Sequence, residues 1–338
     1  MSETVDAGAC VAAGRDAGVL AYPDAYARCE LCPRRCGADR LAGRTGRCRA
    51  DAQMHVARAA LHFWEEPPLS GERGSGAIFF SHCPLGCVFC QNGSISEGGF
   101  GLGVSVGRLA QMMLELQGQG AHNINLVTAT HYAPQARAAV LEARAAGLAL
   151  PVVYNTSGYE LPQVIDALAD VVDVWLPDCK YASAELARRL SFAPDYPSVA
   201  LDAIEHMVTC VERAGGRAVD DEGIMERGVI VRHLVLPGHV DDSCAVLDAL
   251  WARFGNRIDL SVMNQYTPQC GPDGVPGFPE LGRPVSDEEY EAVLDHADEL
   301  GFETMWWQQG GTVSESFVPE FDATGVAGPE LGETRGDA

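Results

Sequence analysis

Three cysteines, Cys83, Cys87 and Cys90, stand in the stretch "SHCPLGCVFCQN" with the spacing C-x3-C-x2-C. Cysteine thiolates hold zinc or iron–sulfur clusters, normally four at a time. A [4Fe–4S] cubane held by three would leave one iron without a protein ligand, open to another molecule. The competing readings are zinc, completed by His82 or a distant histidine, and buried structural cysteines that share this spacing by chance.

A second set, Cys29, Cys32, Cys36 and Cys48, follows C-x2-C-x3-C-x11-C. Four cysteines that open on C-x2-C read as a metal site. Zinc there would knot a stretch with almost no core of its own, whereas a second [4Fe–4S] cluster would serve electron transfer or substrate binding. Arg34, Arg35, Arg40, Arg44 and Arg47 make this the one basic patch of the chain. Such a patch is expected to stabilise a reduced cluster and to dock an acidic electron donor or the acidic face of a substrate. Cys10, Cys210, Cys244 and Cys270 have no companions and read as incidental.

The elements that must position these residues alternate. "AIFF" (77–80) reads as a buried strand that runs into the three-cysteine loop. Ser105 caps an amphipathic helix with Leu109, Met112, Met113 and Leu116 on one face. Strands follow at 124–129, 150–158, 171–178, 228–238, 258–266 and 304–307. Helices between them cover the "PQARAAVLEARAAG" and "LPQVIDALAD" stretches and residues 199–214, 242–254 and 286–300. Six or seven strand–helix units of this kind predict an α/β fold around a parallel sheet, open or closed as a full or partial barrel, with chemistry at the C-terminal ends of the strands. Residues 1–28 read as a weakly structured lead-in, 29–60 as the cysteine-rich module and 61–310 as the catalytic body. The acidic, Gly-rich tail 319–338 reads as disordered.

Composition narrows the function. Forty-seven acids against 24 bases leave a net charge of −23, which argues against a nucleic-acid partner. No apolar run approaches the roughly 18 residues of a membrane span, and "MSETVDAGACVAAGRDAG" has no basic region followed by an apolar core, so a cytoplasmic location is expected. Twelve cysteines in a reducing compartment point to metal or redox chemistry. Lys180 is the only lysine of the chain. A site that keeps a compact ammonium where arginine is used everywhere else reads as functional.

The cysteine loop after a first barrel strand, with Phe89 just before the third cysteine, resembles the signature of the radical S-adenosylmethionine (radical SAM) superfamily. The segments "HFWEEPPLSG", "YNTSGYE", "LPDCKY" and "VRHLVLPGH" are similar to an uncharacterised branch related to pyruvate formate-lyase activating enzymes. The resemblance covers about residues 55–310 and implies a partial (β/α)6-type parallel barrel preceded by the cysteine-rich module. It implies that S-adenosylmethionine chelates the open iron and that one electron cleaves it to a 5′-deoxyadenosyl radical, which removes a hydrogen atom from a substrate. That chemistry requires an external one-electron donor of flavodoxin or ferredoxin type.

The same resemblance places Phe89 against the adenine. The Gly-Gly-Glu run that often grips the methionine amino group is replaced by "LVTATHY", so Thr128, Thr130 and His131 are expected to supply the acceptors. Asn155 and Ser157 would reach the ribose hydroxyls and the carboxylate, with turn chemistry as the plainer reading. Asp178 and Lys180, two apart, share one side of their strand end. Lys180 would hold the cofactor carboxylate or pair with Asp178. Arg232, amid apolar neighbours, needs an anionic partner, either that carboxylate or Asp178. Gln265 and Tyr266 are expected to face the substrate. An oxidoreductase that generates a radical on a protein, as activating enzymes do, is the leading expectation. An enzyme for a small molecule, a non-catalytic iron–sulfur carrier and a zinc-binding interaction module are the alternatives.

Overall fold

The computed structural model describes residues 18–268, 275–308 and 318–328. The strands are β1 (Met54–His62), β2 (Ser75–Phe80), β3 (Leu102–Val104), β4 (Ile124–Val127), β5 (Val152–Thr156), β6 (Val174–Pro177), β7 (Ala218–Val219), β8 (Met225–Leu234), β9 (Asp259–Met263) and β10 (Met305–Trp307). The α-helices are α1 (Pro67–Ser70), α2 (Gly93–Ser96), α3 (Val106–Gly118), α4 (Ala133–Ala145), α5 (Pro162–Leu168), α6 (Ala184–Ser191), α7 (Tyr196–Arg213), α8 (Val240–Phe254) and α9 (Asp287–Leu300).

The sheet runs β10-β9-β8-β6-β5-β4-β2-β1-β3, with β7 beside β8. From β2 to β10 every pair along this path is parallel. Six strand–helix units and a closing strand thus make the partial barrel that the alternation implies. Strands buried on both faces need apolar residues at nearly every position, and β2, β5 and β6 are buried throughout. Side-chain alternation then sorts them. Ile78, Leu126, Tyr154, Trp175, Val231 and Leu260 join the large core shared with the helices. Val153, Val174, Leu176 and Ile230 meet Leu69 of α1 in a smaller inner cluster. Caps fix the helix ends: Ser105 accepts from Arg108 N, and Ser286 forms a capping box with Glu289.

Two features went unread in the sequence. β1 and β3 are antiparallel additions beyond β2, and the segment between β1 and β2 folds inward, so that α1 plugs the inner face with Leu69. Part of the expected disordered tail also has a place. Ala59 N donates to Thr324 O (2.8 Å) and Ala323 N to Ala57 O (3.0 Å), and Val326 is 1 % exposed. Residues 318–328 therefore strap β1, because backbone pairing and one buried valine offset the polar composition. The rest of the tail, and residues 1–17 of the lead-in, lie outside the described residues.

The cysteine-rich module packs on the barrel through its arginines. Arg40, 1 % exposed, donates to His131 O (2.5 Å) and to Asp51 O (2.6 Å) and lies over the Tyr26 ring. Arg34 donates to Pro84 O and Ser191 O, each at 3.0 Å, and Arg47 to Leu85 O at 3.0 Å. The expected basic docking patch is thus corrected. Arg34 and Arg47 cap carbonyls of the three-cysteine loop, Arg40 caps those of Asp51 and His131, Arg44 pairs with Asp39, and of these five only Arg35 stands exposed and unassigned.

Candidate functional site

Cys83, Cys87 and Cys90 leave the C-terminal end of β2 on a loop held from both sides. His82 N donates to Ile95 O (2.8 Å) and Val88 N to Leu190 O (2.9 Å). Gly86 permits the tight turn between the first two cysteines: its φ is +66°, and a Cβ there would meet the heads of Glu97 and Arg47. All three thiols line one cavity of about 520 Å³ with Phe89, Thr128, Asn155, Ser157, Asp178, Lys180 and Arg232. Ser191 Oγ lies 2.9 Å from Cys87 Sγ and Ser96 Oγ 3.3 Å from Cys90 Sγ, each placed to donate to a thiolate. Burial and the neighbouring thiols push the Cys83 thiol up to about 12, so it ionises only beside positive charge. Iron supplies that charge, so the donor set fits a cluster with one iron per thiolate. Among the described residues, no three His, Cys, Asp or Glu side chains close around a single metal-ion position.

Asp178 organises the far wall. Lys180 Nζ lies 2.5 Å from Asp178 Oδ2, Arg232 Nη2 lies 2.9 Å from Oδ1, and Arg232 also donates to Asn155 Oδ1 (2.6 Å). Burial opposes the Asp178 charge, but Lys180 and then Arg232 outweigh it, and its pKa falls below the usual carboxylate value. Burial likewise opposes the Lys180 charge, and Asp178 and Cys87 reverse the sign. The arginine therefore has its anion inside the protein. Cys179, between the pair, is buried in the large core, and His233 Nδ1 lies 2.8 Å from its carbonyl. Gly158 (φ +75°) lets the end of β5 pass this knot, since a Cβ there would sit 2.1 Å from Asp178 O. Ser157 Oγ is buried without a hydrogen-bond partner among the described residues, an orphan that a polar cofactor would satisfy.

The structure does not gather every expected residue. Thr130 and His131 lie off the cavity, on a 3₁₀ turn (Thr130–Tyr132) after β4. Thr130 Oγ1 donates to the fully buried Glu160 (2.5 Å). His131 Nε2 lies 2.8 Å from Ser81 O, and burial, then Arg40, depresses its pKa to about 3. A neutral histidine holding a loop carbonyl is a structural residue. Tyr266 is also set apart, its hydroxyl donating to Leu281 O (2.6 Å); Gln265 does line the cavity. Phe89 lines it too, and is braced edge-on by Tyr181 and Tyr266.

Two residues went unassigned in the sequence. Glu65 and Glu66, in "HFWEEPP", enter the cavity on the inward-folded segment. Arg232 Nη1 lies 3.5 Å from Glu65 Oε2. Burial raises both carboxyls despite Arg232, Glu66 to about 7. Adjacent acids in an aromatic and proline-rich stretch were the available signal.

Burial raises the Cys32 thiol to about 12, with Cys48 and Cys29 adding to it, and raises the Cys48 thiol, with Cys29 and Cys36 adding to it. Three of the four are buried and Cys36 is exposed.

Among the described residues, no helix is long and apolar enough to cross a membrane. Residues 77–245, half the chain, match the Radical SAM superfamily. The chain is 28 % identical to the uncharacterized protein MJ0674 of Methanocaldococcus jannaschii, across 83 % of this chain and 77 % of that one. Among solved structures it is similar to a radical SAM methyltransferase from Sphaerobacter thermophilus, with TM-score 0.47, 14 % identity, and 70 % and 67 % of the two chains covered. It is also similar to Streptococcus suis SuiB bound to S-adenosylmethionine, with TM-score 0.45, 10 % identity and 72 % of this chain covered, but only 48 % of SuiB.

Proposed function

The chain belongs to the radical SAM superfamily, and from that premise we propose that its barrel cavity cleaves S-adenosylmethionine to act on a substrate that enters from the side. The observation that carries this is the convergence of Cys83, Cys87 and Cys90 with Asn155, Ser157, Asp178, Lys180 and Arg232 on one cavity. Bound there, a [4Fe–4S] cluster and S-adenosylmethionine would supply a one-electron cleavage and a 5′-deoxyadenosyl radical. The three thiolates hold the cluster, steadied by the Ser191 and Ser96 hydroxyls. Lys180, oriented by Asp178, faces the cofactor carboxylate. Ser157 and Asn155 offer hydroxyl and amide groups to its polar half, and Phe89 packs the adenine. Thr128, rather than Thr130 or His131, remains to accept from the amino group.

An activating-enzyme role, with a protein as substrate, is supported by the lateral opening. The sheet path ends at β10, and Trp306 and Trp307 of that edge line the cavity together with His62 and Phe63 at the end of β1. A second metal on Cys29, Cys32, Cys36 and Cys48 is supported by their C-x2-C-x3-C-x11-C spacing and by the charge coupling of Cys32 and Cys48 to the other thiols.

The test is anaerobic reconstitution with iron and sulfide, then reduction with dithionite in the presence of S-adenosylmethionine. 5′-Deoxyadenosine should form in the wild type and vanish in Cys87→Ala. A brown protein that never forms it would leave an iron–sulfur carrier. Metal analysis of Cys32→Ser against wild type decides the second site: loss of one zinc, or of about four irons, identifies its metal, and unchanged content removes it.

A further inference from the structure

The mouth of the cavity is aromatic. Phe63, Trp64 and Trp307 line it and stand 52, 54 and 54 % exposed. Large, partly exposed rings gathered around one opening mark a place where something passes or binds. The faces of such rings attract cations.

Beneath the rings the wall is acidic. Glu65, Glu66 and Asp178 bring three carboxylates, and Lys180 and Arg232 two cations. Both cations are engaged. Lys180 is held by Asp178, while Arg232 points Nε at Asp178, Nη1 at Glu65 and Nη2 at Asn155 and Asp178. Glu66 feels the Arg232 charge, but burial outweighs it. Glu66 is 8 % exposed, and its Oε2 has no hydrogen-bond partner among the described residues. A buried carboxyl oxygen without a partner is costly and persists where a ligand completes it. An anionic ligand would add to the excess of carboxylates over cations on this wall, and a purely apolar one would leave Glu66 Oε2 without a partner.

Resting on the enzymatic reading above, we propose that the substrate carries an ammonium group, which passes the aromatic rim and settles on Glu66 Oε2. A single orphan oxygen suits a compact ammonium better than a guanidinium, whose planar fork asks for two acceptors side by side.

Calorimetric titration of the reconstituted, S-adenosylmethionine-loaded protein tests this. The probes are n-butylamine, its neutral isostere 1-butanol, and an acetylated and amidated Gly-Lys-Gly peptide, which separates a free amine from a lysine side chain. At least one ammonium probe should bind ten times more tightly than 1-butanol. Glu66→Gln should abolish that preference. Trp307→Leu, at an exposed site, should reduce it two- to fivefold. Equal binding of amine and alcohol, or an unchanged preference in Glu66→Gln, overturns the proposal. So does weaker S-adenosylmethionine binding in Glu66→Gln, which would give the orphan oxygen to the cofactor. A wild type that forms no 5′-deoxyadenosine would sink the enzymatic reading instead, and the amine isotherms would stand apart from it.

Discussion

Lys180 holds its ammonium 2.5 Å from Asp178 Oδ2, and both residues face a cavity also lined by Cys87. Asp178 answers two cations and Lys180 one anion, so their removal should differ in cost. Asp178→Asn strands Lys180 and Arg232 together and should destabilise the apoprotein by about 4 kcal/mol. Lys180→Met leaves Asp178 with Arg232 and should cost only about 1–2 kcal/mol. Urea unfolding measures both, and a reversed order would refute this account. The folded pKa of Asp178 is depressed below its ordinary 3.8. Its contribution is therefore complete above that value and fades as pH falls through the lower folded one. The deficit of Asp178→Asn should persist from pH 8 to pH 5 and close only in strong acid.

Glu160 gives the opposite pH dependence. It is fully buried and held by the hydroxyls of Thr130 and Thr156, with Oε2 unpartnered among the described residues. Burial lifts its carboxyl from 4.5 to about 7. Below 4.5 both states are protonated. Between 4.5 and 7 the unfolded chain ionises while the native one keeps its proton, so native stability falls as pH rises, by up to roughly 3 kcal/mol. Glu160→Gln should match the wild type at pH 4.5 and exceed it at pH 8 by about 2–3 kcal/mol. A constant difference between the two pH values would show that Glu160 does not titrate in this range.

Much of this site is legible in the chain because period-two alternation carries it. Once 150–158, 171–178 and 228–238 are read as strands, Asn155, Asp178 and Arg232 fall on the inner face with Val153, Leu176 and Ile230. Thr130 and His131 misled because they follow a strand whose order ends at Val127; the 3₁₀ turn after it breaks the alternation. Glu65 and Glu66 were hidden for a different reason. They ride on no periodic element, and only the inward fold of the β1–β2 connection brings them to Arg232. The arginines of the cysteine module read as a surface patch because their acceptors are backbone carbonyls up to 158 residues away, which leave no mark on side-chain sequence.

Two glycines of the site should differ sharply on substitution. At Gly158 an added Cβ meets the Asp178 carbonyl at 2.1 Å, and backbone cannot step aside. Gly158→Ala should cost more than about 3 kcal/mol and pull Asp178 off its cations. At Gly86 the nearest atoms belong to the heads of Glu97 and Arg47, which can swing away, so only the left-handed backbone is penalised, at about 1 kcal/mol. Thermal unfolding of the two variants side by side checks the contrast.

Ser191 Oγ sits between Tyr181 Oη (2.7 Å) and Cys87 Sγ (2.9 Å). A hydroxyl donating to a cluster sulfur favours the reduced, more negative form. Ser191→Ala should lower the midpoint potential of the reconstituted cluster by on the order of tens of millivolts, and Ser96→Ala, at 3.3 Å from Cys90 Sγ, by less. Redox titration followed by electron paramagnetic resonance reads both. A rise in potential in Ser191→Ala would show that the hydroxyl does not donate to the thiolate.

The strap over β1 should matter to the cavity although it lies outside it. Phe321 packs edge-on against Phe79, a cavity-lining residue, with ring centroids 5.4 Å apart. Arg108 donates to the carbonyls of Gly325 and Val326, each at 3.0 Å. Gly325 (φ +72°) lets the strap approach β1 so closely that a Cβ would stand 2.0 Å from Ala59 O. Gly325→Val cannot keep that approach, so it should release the Ala59–Thr324 and Ala323–Ala57 bonds together and uncover Val326. The loss of two backbone bonds and one buried valine amounts to about 3–4 kcal/mol. Amide hydrogen exchange should then show Ala59 opening in Gly325→Val while the β5 and β6 amides stay protected. If β5 and β6 lose protection equally, the strap is part of the global fold and not a separable brace on the Phe79 wall.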